Sequence, residues 1–135
     1  MSATINQGLT LWLADRPETP LAAVLSYSAA DPYAVRLAFI QGSRETTVYG
    51  FARSLLADGL YDPAGEGDVL VGPHTDYEPY LVLTLRPAEG YPFACYVVRE
   101  AIEAFVEKSY RLVPMGREHL DIDAAIARIL GEVTS

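Results

Sequence analysis

Tyr80-Leu81-Val82-Leu83-Thr84-Leu85, a turn at Ala88-Glu89-Gly90-Tyr91, and Phe93-Ala94-Cys95-Tyr96 run directly into Val98, Ala101, Ile102, Phe105 and Val106. The first and third of these runs are short and apolar, which is how strands read, and Tyr80 to Leu85 is apolar enough to predict cover on both faces. The last five positions recur at helical spacing, with Arg99, Glu100, Glu103 and Glu107 on the opposite side. The period therefore changes from strand to helix inside about twenty residues.

Upstream, Leu9, Leu11 and Leu13 alternate with Thr10 and Trp12, the period of a half-buried strand. Asp15-Arg16-Pro17-Glu18-Thr19-Pro20 should interrupt it, because neither proline supplies a ladder hydrogen bond. Leu21 to Ser28 reads as a second strand, Ala30-Asp31-Pro32-Tyr33 as a turn, and Val35, Leu37 and Phe39 as one face of a third strand. Gln41 to Glu45 forms a hairpin loop and Thr46 to Phe51 a fourth strand. A short helix follows, with Phe51, Leu55 and Leu56 on one face and Gly59 where a left-handed C-cap belongs. Tyr61 to Asp68 is a loop rich in turn formers, and Val69 to Val71 is a strand ended by Gly72-Pro73.

Downstream of the main helix, Pro114 and Gly116 open a loop from Leu112 to Leu120. Asp121 or Asp123 then caps a last helix with the stripe Ile122, Ile126, Ile129 and Leu130. Strands, helix, strands, two helices make an α+β domain over residues 1–135, with a mostly antiparallel sheet of about seven strands. The strands Leu9 to Leu13 and Tyr80 to Leu85 are expected to leave edges that another subunit covers.

The chain has 135 residues, enough for one core without a disulfide or metal staple. Ten basic against eighteen acidic side chains give a net charge of −8. That balance disfavours phosphate backbones and anionic membranes, both of which are gripped by clustered Lys and Arg. No apolar run approaches the ~20 residues of a membrane-crossing helix. Met1 to Gln7 has neither a basic residue nor an apolar core, so the expectation is a soluble cytoplasmic protein without a signal peptide.

Chemistry is sparse. His74 and His119 have no second ligand at metal-binding spacing, and the lone Cys95 sits in an apolar stretch that predicts a buried core thiol. Asp121 and Asp123 stand at a helix start, where free backbone N–H groups account for acids. Gly65-Glu66-Gly67-Asp68 lacks the Lys and Ser/Thr of a phosphate-binding loop, and no serine lies in a Gly-x-Ser-x-Gly elbow. The expectation is no enzyme, no metal and no cofactor. Tyr61, Tyr77, Tyr80 and Tyr91 lie in or beside loops and favour structural or interface roles. Base stacking would want basic neighbours, and theirs are Asp62, Asp76, Glu78 and Glu89. From residues alone, this is a small acidic interaction module with its partner left open.

Four stretches in register carry a resemblance. They are Tyr27-Ser28-Ala29-Ala30-Asp31-Pro32-Tyr33-Ala34-Val35 with Phe39 and Gly42; Phe51-Ala52-Arg53-Ser54-Leu55-Leu56-Ala57-Asp58-Gly59-Leu60; Pro63-Ala64-Gly65-Glu66-Gly67-Asp68-Val69 with Val71 and Pro73; and the weaker Ala104-Phe105 with Val113 to His119. Together they resemble the SsgA-like proteins of actinomycetes, a sporulation and cell-division family. His74 to Tyr80 and Tyr91 to Tyr96 depart from its usual members.

The resemblance implies a non-catalytic adaptor in septum placement, closest in role to the SsgB-type members. Its implied partners are the tubulin-like FtsZ and another SsgA-like protein such as SsgA. It also implies a homotrimer acting at the septum; that nucleic acid and membrane insertion are not involved is expected from the acidic charge and the lack of an apolar span, and the cytoplasmic location from the N-terminus. The implied fold resembles the whirly-type single-stranded nucleic-acid-binding proteins, so nucleic-acid binding is the alternative function. Candidate contact residues, expected to be exposed, are Asp31, Tyr33, Arg53, Asp68, Gly116, Arg117, Glu118 and His119.

Overall fold

Alternation builds the sheet. In the computed structural model, which describes residues 3–65 and 67–118, the chain runs β1 (Thr4–Leu13), β2 (Arg16–Ser28), β3 (Asp31–Gln41), β4 (Arg44–Ala52), α1 (Arg53–Asp58), β5 (Val69–Pro73), β6 (Tyr80–Leu85), β7 (Phe93–Val98) and α2 (Arg99–Leu112). The expected helix around Ile122 to Leu130 and the candidate His119 lie outside the described residues. The seven strands form one sheet in the order β4-β3-β2-β1-β7-β6-β5, and every pairing is antiparallel.

One face of that sheet carries the core. Leu9 and Leu11, Leu25 and Tyr27, Val35 and Leu37, Leu81, Leu83 and Leu85, and Cys95 and Val97 are buried at every second position. Against them pack Leu56 of α1 and Ile102, Phe105 and Val106 of α2. Each such side chain contributes about 1.5–3 kcal/mol over leaving it in water. Gln7 ties β1 to α2, its Nε2 donating to the Ala101 carbonyl at 2.8 Å. The sheet curls: Phe39 of β3 meets Phe93 of β7 at 6.4 Å between ring centroids, although β2 and β1 separate them in strand order. Register shifts at Trp12/Leu13, Ser26/Ser28 and Phe39/Ile40 supply local bends.

Four expectations are corrected. Pro17 and Pro20 do not interrupt the first hairpin; they lie inside β2. Trp12 pairs with Pro20, the register breaks before Leu13 pairs with Arg16, and the pairing of β2 with β3 stops at Ala22, so the prolines occupy a stretch with little ladder to lose. The strands at 9–13 and 80–85 are interior: β1 lies between β2 and β7, β6 between β5 and β7, and the sheet ends are β4 and β5. Tyr80 to Leu85 is covered on one face, with Tyr80 exposed and Val82 and Thr84 half-buried on the other. Gly59 caps α1 in a right-handed conformation, φ −64°. Glycine is needed there for close approach: a Cβ would lie 2.6 Å from Val71 Cγ1 and 2.7 Å from Val71 Cβ.

Candidate functional site

Arg53 is the first residue of α1, and the structure buries it to 2% exposure where the sequence reading expects a surface contact. The reason is the partner set that α2 and the chain after it supply. Nη1 donates to the carbonyls of Ser109 (2.9 Å) and Val113 (2.7 Å), and Nη2 donates to Glu118 Oε1 (2.8 Å). The guanidinium carbon lies 3.9 Å from the Tyr110 ring centroid and 4.9 Å from that of Tyr27. A buried cation at the C-terminal end of α2 meets the negative end of the helix dipole, the Val113 carbonyl just past the helix and the Ser109 carbonyl, which also accepts the Val113 N–H at 2.9 Å. Planarity lets it stack and donate at once, which a lysine ammonium does not do.

This side chain fixes the segment that follows α2. Arg117 N–H donates to the Pro114 carbonyl at 3.0 Å, closing a turn, and Gly116 takes φ +84°, the left-handed region that glycine enters without strain. The Glu118 carboxyl is held below the usual glutamate value. A hydrogen bond from its own backbone N–H lowers it most, followed by Arg53 and the Gly116 amide, against an opposing contribution from desolvation. Between these anchors the tip stands in solvent: Gly116 and Arg117 are exposed, and Met115 is 75% exposed.

Tyr27 extends the cluster to a third motif. Its hydroxyl donates to the Pro32 carbonyl at 2.9 Å, so the ring under Arg53 also holds the start of β3, where Asp31 and Tyr33 are exposed. Asp31 shares a shallow cleft of about 390 Å³ with Arg36, Val48 and Gly50. Asp68 is elsewhere, in a cleft of about 680 Å³ lined by Ser54, Asp58 and Gly65. The structure thus gathers Arg53, Gly116, Arg117 and Glu118, links Asp31 and Tyr33 to them through Tyr27, and leaves Asp68 apart.

Sequence reasoning misses Met115, Tyr27 and Tyr110. Met115 carried a signal, as an apolar residue in a polar loop, and Tyr27 stood in the first motif stretch without pointing to this site; Tyr110 carried none, because only the fold stacks both rings on one guanidinium. Among the described residues, no thiolate or metal-binding group accompanies the cluster. Burial pushes the Cys95 thiol up to about 11, so little thiolate exists near neutrality. Among the described residues no group of three or more His, Cys, Asp or Glu is placed to hold a metal ion, and no helix is long and apolar enough to cross a membrane.

Solved structures share this fold. A protein from work on SsgB mutations that correlate with longitudinal cell division during sporulation of Streptomyces coelicolor superposes with a TM-score of 0.79 at 37% identity, covering 90% of this chain and 97% of that one. An SsgA-like sporulation-specific cell division protein from Thermobifida fusca superposes with a TM-score of 0.78 at 35% identity, covering 94% and 96%. The fold is thus the α+β fold of SsgA-like cell division proteins. The chain belongs to the family of Streptomyces sporulation and cell division protein SsgA, which matches residues 21–118. It is 39% identical to the sporulation-specific cell division protein SsgB of T. fusca (96% of this chain, 95% of the relative) and 39% identical to SsgB of S. coelicolor (98% and 99%).

Proposed function

We propose that this protein acts in sporulation-specific cell division as a non-catalytic adaptor, recruiting FtsZ to septum sites from the cytoplasm. The observation that carries the reading is 39% identity to two SsgB proteins over nearly their whole lengths. The contact element is the tip Met115-Gly116-Arg117, an exposed apolar side chain beside an exposed cation on a loop fixed from below by Arg53. A preorganised tip loses little entropy on docking, which favours a small contact. A homotrimer belongs to the same reading, with the outer edge of β4 as the strand open to a second subunit. Nucleic acid is not a partner in it, since a net charge of −8 opposes a phosphate backbone. A second SsgA-like protein is the further partner.

The test is co-pelleting with FtsZ from the same host, polymerised with GTP and compared with a nucleotide-free control. Saturable GTP-dependent pelleting that weakens in Met115→Ala and Arg117→Glu supports the reading. No pelleting with both proteins folded removes direct recruitment. Undiminished pelleting in both variants moves the contact away from this loop.

A further inference from the structure

On the sheet face opposite the helices, four strands and one loop bring together Trp12, Pro17, His74, Tyr77, Tyr80 and Tyr96 around a cleft of about 590 Å³. Trp12 and Tyr96 are cross-strand partners of β1 and β7, and each alternates with buried core residues, so both point away from the core. The rings stand at steep angles. Trp12 and Tyr80 meet edge to face at 86° with centroids 6.3 Å apart, and His74 lies 5.1 Å from Tyr77 and 4.9 Å from Tyr96 at 58° and 59°. Tyr77 is 63% and Tyr80 36% exposed.

The loop wall is built in advance. His74 N–H donates to the Tyr80 carbonyl and Tyr80 N–H to the Tyr77 carbonyl, each at 3.0 Å. His74 Nδ1 accepts from the backbone N–H groups of Asp76 and Tyr77 at 3.0 and 3.1 Å, which leaves Nε2 as the donor of its neutral ring. The Trp12 indole N–H and the hydroxyls of Tyr77, Tyr80 and Tyr96 make no hydrogen bond among the described residues.

We infer that this cleft is a docking site for a proline-rich segment in polyproline II conformation, carrying basic residues beside its prolines, on a partner protein. Three observations choose that occupant. Steeply inclined rings make ridges and slots that accept pyrrolidine rings, whereas stacked bases need open parallel faces. A polyproline II chain has no internal hydrogen bonds, so its carbonyls match the unengaged indole, phenol and imidazole donors. The charged residues beside the lining are the exposed Asp15, Glu18, Asp76 and Glu78 against Arg16 and Arg99, whose Nε donates to the Glu78 carbonyl at 3.2 Å; the rim is net acidic, which attracts basic flanks and repels phosphate. The cleft lies on the opposite sheet face from Met115, and the inference does not rest on the FtsZ reading.

Trp12 is the chain's single tryptophan, so its emission reports on the cleft directly. The full chain is titrated with four probes: an octaproline flanked by arginines, the same octaproline flanked by glutamates, a Gly-Ser peptide with the same arginines, and oligothymidylate. The expected result is a saturable change with the first and affinities at least about tenfold weaker for the other three. Tyr77→Ala should weaken the first probe about tenfold while leaving the circular dichroism unchanged. Asp76→Lys with Glu78→Lys, which removes no wall residue, should shift preference toward the glutamate-flanked peptide. No response to the first probe overturns the proposal. So does an equal response to the Gly-Ser peptide, tighter binding of oligothymidylate, undiminished affinity in Tyr77→Ala, or an unchanged preference in the double lysine variant.

Discussion

Arg53 Nη2 and Glu118 Oε1 stand 2.8 Å apart across 65 residues of chain, one at the start of α1 and the other beyond the end of α2. Arg53 is almost wholly buried, while Glu118 keeps 14% of its side chain in contact with solvent. The pair therefore works as a latch: the arginine is a fixed anchor, and the glutamate is the end that can release.

Removing the anchor should cost more than removing the latch. Arg53→Met leaves the Val113 carbonyl without its donor and unstacks Tyr110 and Tyr27, for an expected loss of about 2–4 kcal/mol. Arg53→Lys keeps the charge but not the planar fork, and should lose about 1–2 kcal/mol. Glu118→Gln should lose less than either. Urea unfolding of the three variants checks the order, and an Arg53→Met protein as stable as the parent would contradict the anchor.

The latch should open in acid. Because the folded Glu118 carboxyl titrates below the ordinary value of 4.5, its contribution is complete above 4.5 and is lost as pH falls through the lower folded value. Amide shifts of Gly116 and Arg117 should stay constant above 4.5 and move below it. In Glu118→Gln this transition should vanish, and its persistence would assign the titration to another group.

Gly59→Ala should destabilise by packing and not by backbone strain, because Gly59 is already right-handed while its missing Cβ would overlap Val71. The expected cost is about 1–3 kcal/mol. Val71→Ala in the same chain should recover part of it by removing the nearest methyl. A double variant less stable than the sum of the two singles would place the clash elsewhere.

Cys95 should be inert in the native protein. Fully buried and with its thiol pushed up to about 11, it should react with an aromatic disulfide reagent only as fast as the protein unfolds. Reaction in native buffer at the rate of a free thiol would show an opening route through β7. In urea above the unfolding midpoint, one equivalent should react promptly.

The hydroxyl of Tyr27 holds the start of β3 through the Pro32 carbonyl while its ring lies under Arg53, so Tyr27→Phe should lose about 1 kcal/mol and keep the ring contact. Hydrogen exchange should accelerate at the β2–β3 turn more than in β6. Equal acceleration in both places would mean that the bond acts on global stability alone.

Alternation and period are properties of neighbouring residues, so the existence of seven strands, both described helices and the α+β class were legible without the fold, while the ends of strands such as β2 were not. Leu9 with Leu11, Val35 with Leu37, and Ile102 with Phe105 each announce their buried face within one turn or two strand positions. Strand order is not local. Which strands lie at the sheet ends depends on β1 pairing with β7, Trp12 opposite Tyr96, a contact between distant parts of the chain that no short spacing encodes. The same pairing decided that Trp12, His74, Tyr77, Tyr80 and Tyr96 share one cleft. Arg53 depended on the fold as well: a charged residue opening a short helix reads as exposed until α2 supplies the Ser109 carbonyl and the Tyr110 ring, and the chain after it the Val113 carbonyl and the Glu118 carboxylate. A buried charge is stable only where its partners converge, and convergence is a property of the fold.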